Sequence, residues 1–279
     1  MARRARLDAE LVRRGLARSR QHAAELIDGS RVLLDGTTAT KAATQLDPAQ
    51  AVRVLPPAEG IEPEYASRGG HKLAGALDAL AGAAPRVAGR RALDAGASTG
   101  GFTDVLLRRG AAHVVAVDVG YGQLVWELQT DERVTVRDRT NVRSLTPADV
   151  APAPELVVGD LSFISLTLVL PALVGAVAPD ADFLLMVKPQ FEVGRERLGS
   201  GGVVRDVALH ADAVRTVARA AAEVGLALRA VVASPLPGPS GNVEYFVHLR
   251  AGDGVFPTPE EIDAMIAVAI ENGPAGSAP

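Results

Sequence analysis

Seven short apolar segments separated by helix-forming stretches run from Arg91 to Leu249, and this alternation restricts the region to a sheet with helices on both faces. The segments are Arg91–Asp94, His113–Asp118, Val134–Val136, Glu155–Asp160, Asp182–Lys188, Leu226–Ala233 and Val243–Leu249. Helices are expected between most of them, among them Gly101–Arg109 and Val207–Val224. Strands that alternate with helices pair in parallel and form a doubly wound sheet. The last connection differs. Only Pro235 to Asn242 separates the sixth segment from the seventh, too short for a parallel crossover, so the final strand is expected to run antiparallel. The expected fold class is α/β with a seven-stranded mixed sheet.

Residues 1–55 follow another pattern. Leu7, Leu11 and Val12 make one apolar helical face that Gly15 ends, and Ser19 is a natural N-cap for a second helix carrying Ala23, Leu26 and Ile27, closed by Gly29. Val32-Leu33-Leu34 then runs into Asp35-Gly36, a tight hairpin signal, and Val52–Leu55 supplies another strand. This small α+β segment carries charge unlike the rest. The chain has a net charge of −4, but its first 55 residues are at +4, with seven arginines in the first twenty positions, and the remainder is at −8. Such asymmetry points to an appended nucleic-acid-binding element; a solvated arginine-rich helix face is the simpler alternative. Pro56, Pro57, Gly60 and Pro63 interrupt regular structure. The domains are therefore expected at residues 1–56 and 67–279, joined by a linker at 57–66.

Several chemistries are excluded. The chain has no cysteine, which removes disulfides, zinc-thiolate sites and any cysteine nucleophile. Its five histidines show no i,i+4 pair, so no metal is expected. The longest apolar run, Val157 to Val177, is broken by Asp160 and Pro171, and the arginine-rich start has no apolar stretch behind it. The expected location is the cytoplasm, with no membrane partner.

Ala92 to Phe102 ends the first strand, turns through Gly96-Ala97-Ser98-Thr99-Gly100-Gly101 and opens a helix. Glycines let backbone approach a ligand closely, although such a turn also serves structure alone. The loop lacks the G-x-G-x-x-G spacing and has no lysine nearby to clamp phosphate. Asp118 ends the next strand, followed by Val119, and is suited to gripping ribose hydroxyls. Four carboxylates, Asp94, Asp118, Asp138 and Asp160, fall at strand ends. An acidic loop without a cationic clamp suits the cationic S-adenosylmethionine better than NAD or ATP.

Only three of 29 basic residues are lysines: Lys41, Lys72 and Lys188. In so arginine-rich a chain, a lysine at a strand end or helix start is notable, because lysine can give up its proton and arginine cannot. Lys188 ends the fifth strand, Lys72 opens the domain's first helix within Ser67–Leu73, and Glu244 starts the last strand. Any one of them is readily explained as a snorkelling or surface-paired side chain. Asp160-Leu161-Ser162-Phe163 lacks the two prolines of exocyclic-amine methyltransferases, and no cysteine serves pyrimidine carbon-5 methylation. Transfer to an oxygen remains attractive, and a ribose hydroxyl needs a base near its proton.

Taken together, these residues carry a resemblance. The pattern from Leu11 through Gly15, Ser19-Arg20, Ala23, Leu26-Ile27, Gly29 and Val32 to Leu34-Asp35-Gly36 resembles the S-four-type RNA-binding module. The ordered set Lys72, Asp160, Lys188, Glu244 resembles the catalytic tetrad of FtsJ-like ribose 2′-O-methyltransferases, and the combination resembles the TlyA family of hemolysins and rRNA methyltransferases. The likeness covers nearly the whole chain. It implies a Rossmann-like class I methyltransferase domain that takes S-adenosyl-L-methionine and methylates cytidine 2′-hydroxyls in 16S and 23S ribosomal RNA or ribosomal subunits. It also implies cofactor contacts from Gly96, Ser98, Thr99, Gly100, Gly101, Asp118, Val119, Asp138 and Asp160, and RNA contacts from Arg4, Arg6, Arg14, Arg18 and Arg20. Within the tetrad, Lys188 is expected to be the base or hydroxyl-orienting group and Asp160 its holder. Some relatives carry Arg-x-Trp-Val where this chain reads Pro63-Glu64-Tyr65-Ala66, so no linker role is carried over. The rival readings are a non-catalytic ribosome-assembly factor and a membrane-active hemolysin; the second lacks a spanning segment or a lysine-rich amphipathic helix.

Overall fold

A computed structural model of the chain describes residues 5–17, 20–47, 50–55, 65–238, 240–251 and 255–276. It divides into two compact units, residues 1–64 and 65–279.

In the first unit, β1 (Ala5–Arg6), α1 (Leu7–Arg13) and α2 (Arg20–Asp28) precede β2 (Val32–Leu34), β3 (Thr37–Thr38), β4 (Gln45–Leu46) and β5 (Val52–Val54). β2 lies between β3 and β5, and β1 pairs with β4, all antiparallel. Asp35 and Gly36 both take positive φ, at 47° and 85°, as the expected two-residue hairpin requires. Leu7, Leu11, Ala23, Leu26, Ile27 and Val32 close a small core beneath the two helices. Ser19, the expected cap, lies outside the described residues.

The second unit opens with α3 (Arg68–Leu80). It continues through β6 (Arg91–Ala95), α4 (Gly101–Arg108), β7 (His113–Val117), α5 (Trp126–Gln129), β8 (Val134–Arg137), α6 (Pro147–Val150), β9 (Leu156–Gly159) and α7 (Leu170–Ala176). Then come β10 (Asp182–Val187), α8 (Pro189–Glu192), α9 (Val207–Glu223), β11 (Leu226–Ala233), β12 (Tyr245–Ala251) and α10 (Pro259–Glu271). The sheet order is β11-β12-β10-β9-β6-β7-β8. β12 runs antiparallel to both neighbours, and the pairs from β10 to β8 are parallel. The seven expected strands are therefore all present, with ends shifted by one or two residues.

Every residue of β9 and β10 is buried, as strands covered on both faces must be. Successive side chains alternate between two cores. Leu93, Val115, Val157, Phe183, Leu185 and Val247 pack with α7, α9 and α10. Ala92, Val114, Val158, Leu184, Met186 and Phe246 pack with α3 and α4 on the other face. Tyr65 and Ala66, at the end of the expected linker, are buried in this second core. Ala66 donates its backbone N–H to Asp104 Oδ2 at 2.8 Å, and the Tyr65 ring lies edge-on to His71, fastening the chain at the start of α3.

The starts of α3 and α4 touch through small residues. A Cβ on Gly101 would stand 2.3 Å from Ser67 Oγ and 2.7 Å from the Gly70 backbone nitrogen. Backbone cannot yield as a flexible side chain does. Gly101→Ala should destabilise the second unit by about 1–3 kcal/mol, measured as a lowered urea midpoint at unchanged m-value.

Candidate active site

Strand parity assembles the four chemical side chains. Val158 and Met186 face α3 and α4, so the residues two further on, Asp160 and Lys188, leave the strand ends on that same face. Phe246 also faces α3 and α4, and Glu244, two residues earlier, follows it. Because β12 is antiparallel, with Val187 opposite Tyr245, its start lies beside the end of β10. Lys72 is buried on the inner side of α3. All four side chains thus converge at one edge of the sheet.

They meet as two ion pairs. Lys72 Nζ is 2.5 Å from Glu244 Oε2, with both side chains buried. Lys188 Nζ is 2.5 Å from Asp160 Oδ1 and donates to Ser162 Oγ at 2.8 Å. A Cβ on Gly69, three residues before Lys72, would stand 3.9 Å from Asp160 Oδ2, so the helix turn bearing Lys72 lies close to the second pair. Removing one partner of a buried pair strands a charge away from water, at about 3–5 kcal/mol. Each lysine therefore holds a carboxylate in place as much as the reverse.

The glycine loop lies at the same edge. Gly96 and Gly100 take φ of 88° and 100°, and Ser98 is also left-handed at 47°. The space these glycines leave is also used by the protein itself. A Cβ on Gly100 would collide with Leu128, one on Gly101 with Ser67, and one on Gly96 would press the Asp160 carbonyl. Asp118 accepts backbone N–H groups of Ser98 at 2.8 Å and Gly120 at 2.7 Å, and Asp138 accepts that of Gly122 at 2.8 Å. Both carboxylates brace loops, and their spare lone pairs remain for a ligand. Thr99 accepts the Val125 N–H through its carbonyl, and Val119 is 68% exposed.

Beneath this loop sits Asp94, fully buried. Its Oδ2 accepts from Thr103 Oγ1 at 2.7 Å, and its Oδ1 has no partner. Burial pushes its carboxyl up to about 7, reinforced by Asp160 and Asp118. An orphaned acidic oxygen among further carboxylates fits a ligand carrying positive charge.

Other residues of the site have no individual role assigned from the sequence. Ser162 meets Lys188, Glu192 accepts from Ser165 Oγ at 2.5 Å and from the Leu166 N–H at 2.9 Å, and Phe163 lies over Phe191 with ring centroids 5.2 Å apart. Phe163 is 91% exposed and left-handed, with φ 63°. Positive φ at an aromatic residue is a marker of an imposed shape.

The arginine-rich segment is less uniformly available than its composition implies. Arg6 and Arg20 both clasp Asp8, and Arg13 and Arg14 both clasp Glu10. Those bonds hold the Asp8 carboxyl far below the usual carboxylate range and Glu10 down to about 2. Arg6, Arg13 and Arg20 keep large exposed surfaces, whereas Arg14, only 21% exposed, also donates to the Gln50 carbonyl. Arg14 is thus mainly structural, and Arg13, not among the expected contacts, is more open. Arg4 and Arg18 lie outside the described residues.

Known proteins resemble this chain. Residues 65–251 match the FtsJ-like methyltransferase family, and residues 5–52 match the S4 domain. The chain is 58% identical to the 16S/23S rRNA (cytidine-2′-O)-methyltransferase TlyA of Mycobacterium tuberculosis, over 98% of this chain and 100% of that protein. It is 32% identical to Hemolysin A of Brachyspira hyodysenteriae, over 87% of this chain and 98% of the relative. The solved structure of a hemolysin-named protein from Streptococcus thermophilus superposes with a TM-score of 0.74 at 35% identity, covering 97% of each chain.

The raised Asp94 value gives a signed pH dependence. The folded state keeps this carboxyl protonated up to about 7, while the unfolded chain releases the proton near 3.8. The stability this contributes is full below about pH 4, declines as pH rises, and is lost above about pH 7. Asp94→Asn cannot ionise, so the wild type should lose stability relative to it between pH 4 and pH 7. Denaturant titrations of both proteins across that range check the sign.

Proposed function

The chain belongs to the TlyA branch of the FtsJ-like methyltransferases, and on that premise we propose that it methylates ribose 2′-hydroxyls of cytidine in 16S and 23S ribosomal RNA. The observation that carries this reading is the Asp160–Lys188 pair beside the Lys72–Glu244 pair on one face of the sheet edge. A lysine amine held by a carboxylate is a base suited to a hydroxyl. Lys188 enters the step as the neutral amine, its ammonium proton given up to solvent; Nζ then takes the 2′-O proton as the oxygen becomes a nucleophile, and Asp160 stabilises the ammonium that re-forms. The Lys72–Glu244 pair is neutral as a unit, which lets it hold the ribose in position without attracting or repelling the reacting oxygen.

S-adenosylmethionine, when bound, supplies the electrophilic methyl group. The residues that would hold it are the Gly96, Ser98, Thr99, Gly100 and Gly101 loop, Asp118, Val119 and Asp138, with Asp160 at the reacting end. No lysine or arginine competes within the loop's own sequence, which agrees with a cationic partner.

The S4 domain would bring the RNA. Arg6 and Arg20, with Arg4 and Arg18 from the same arginine-rich segment, would contact phosphates, and Arg14 would keep their helix in shape. Phosphate contacts recognise a folded RNA with little base readout and weaken with salt. No helix among the described residues is long and apolar enough to cross a membrane, so the hemolysin name of some relatives finds no spanning helix here.

Lys188→Ala should cut methyl transfer to ribosomal subunits by about 10²–10⁴-fold while S-adenosylmethionine still binds. Tritiated-methyl incorporation and calorimetry read the two quantities; near-wild-type turnover would overturn the assignment of Lys188.

A further inference from the structure

We propose that Glu192 is a positioning residue for methyl transfer, which holds Ser162 against the Lys188 amine. The inference rests on the reading of Lys188 as the base. A lysine acting as a base does so as a neutral amine, with two N–H groups and one lone pair. That nitrogen donates to Ser162 Oγ, while Asp160 Oδ1 lies against it as a charge contact without hydrogen-bond geometry. The bond to Ser162 fixes one N–H direction, and with it the rotation that aims the lone pair at the hydroxyl proton. Asp160 alone would leave the amine free to rotate about its terminal bond, presenting an N–H where the lone pair is needed.

Ser162 does not hold itself there. It is exposed, and the next residue, Phe163, is left-handed at φ 63°, a conformation that costs free energy and persists only when neighbours impose it. Three contacts do so, each joining the loop after β9 to the segment after β10. Ser162 meets Lys188, Phe163 lies over Phe191, and Ser165 Oγ donates to Glu192 Oε2 while the Leu166 N–H donates to Glu192 Oε1. Lys188 and Glu192 are four residues apart, the ends of the single turn that includes α8. Ser162 and Ser165 are the corresponding ends of the facing loop. The Glu192 contacts therefore close a ring of which the Lys188–Ser162 bond is the opposite side. Ser165 is further fixed by Thr167, whose Oγ1 lies 2.7 Å from its Oγ. Burial of Glu192 raises its carboxyl and these two hydrogen bonds counter that, so this carboxylate is committed to the loop rather than to solvent.

The test compares Glu192→Ala, Glu192→Gln, Ser165→Ala, Ser162→Ala and Lys188→Ala in the full chain. The readouts are single-turnover methyl transfer to ribosomal subunits, KM for subunits, S-adenosylmethionine affinity and melting temperature. Glu192→Ala and Ser162→Ala should each slow the single turnover by about 10–100-fold, with KM and cofactor affinity within about twofold of wild type. Combining them should slow it no further, because both break one ring. Glu192→Gln should recover most of the rate, since a carboxamide can accept from Leu166 and donate to Ser165 Oγ. Should Glu192→Ala fail to fold, Ser165→Ala reads the same contact and should slow the turnover without raising KM. A wild-type turnover in Glu192→Ala or, failing that, Ser165→Ala would overturn the proposal. So would a loss confined to KM and melting temperature, or one that glutamine does not recover. Lys188→Ala separates the two readings: if it is active, the base assignment fails, whereas an inactive Lys188→Ala beside a fully active Glu192→Ala overturns the positioning role alone.

Discussion

The site depends on the contact between Asp160 and Lys188, and that contact depends on β9 and β10 being parallel neighbours in register. Gly159 pairs with Leu185 and β10 runs on two residues to Val187, so Asp160 and Lys188 leave their strands at the same edge. Parity then decides the face. A slip of one residue in either strand would send one member of the pair towards α7 and α9 and leave the other without a partner. The uninterrupted burial of Leu156–Gly159 and Asp182–Val187 is what prevents such a slip. The apolar core and the placement of the proposed base are in this sense one constraint.

The second pair needs the single exception to parallel order. A crossover helix would have started the last strand at the opposite edge, far from Lys188. The short Pro235–Asn242 connection reverses β12, so its first residues, and Glu244 with them, arrive beside the end of β10. Within the same turn Asn242 accepts the Val204 N–H and donates to the Gly202 carbonyl, while Tyr245 shares a hydrogen bond with His210. The Val204 carbonyl can only accept, so the hydrogen of this bond sits on His210 Nε2, which donates it. These bonds fix the backbone on both sides of Glu244. Tyr65 and Ala66 do the same for α3 on the other side of the pair, through His71 and Asp104.

Much of this was legible in the sequence, for identifiable reasons. Short apolar segments alternating with helix-forming stretches, the short last connection and the glycine turn are local signals, and each leads to the element observed. The scarcity of lysine drew attention to Lys72 and Lys188 without any knowledge of contacts. What stayed hidden was mostly tertiary. Glu192 and Ser165 are 27 residues apart, and nothing in either neighbourhood marks them as partners. The positive φ of Phe163 has no composition signal, because glycine or asparagine is the usual choice there. The glycine turn does not show that the missing Cβ atoms of Gly100 and Gly101 also make room for Leu128 and Ser67. Arg14 looked equivalent to Arg6 until Glu10 and Gln50 claimed it.

If the accepting atom is a ribose oxygen, the position of the added methyl group reveals it. Ribosomal subunits incubated with the protein and S-adenosylmethionine would be digested to nucleosides and analysed by mass spectrometry, with alkaline hydrolysis of the intact RNA in parallel. The account predicts a cytidine whose extra methyl remains with the sugar on glycosidic cleavage, and a phosphodiester resistant to alkali at that nucleotide. A methyl group that leaves with the base, or RNA that stays unmodified, would contradict it.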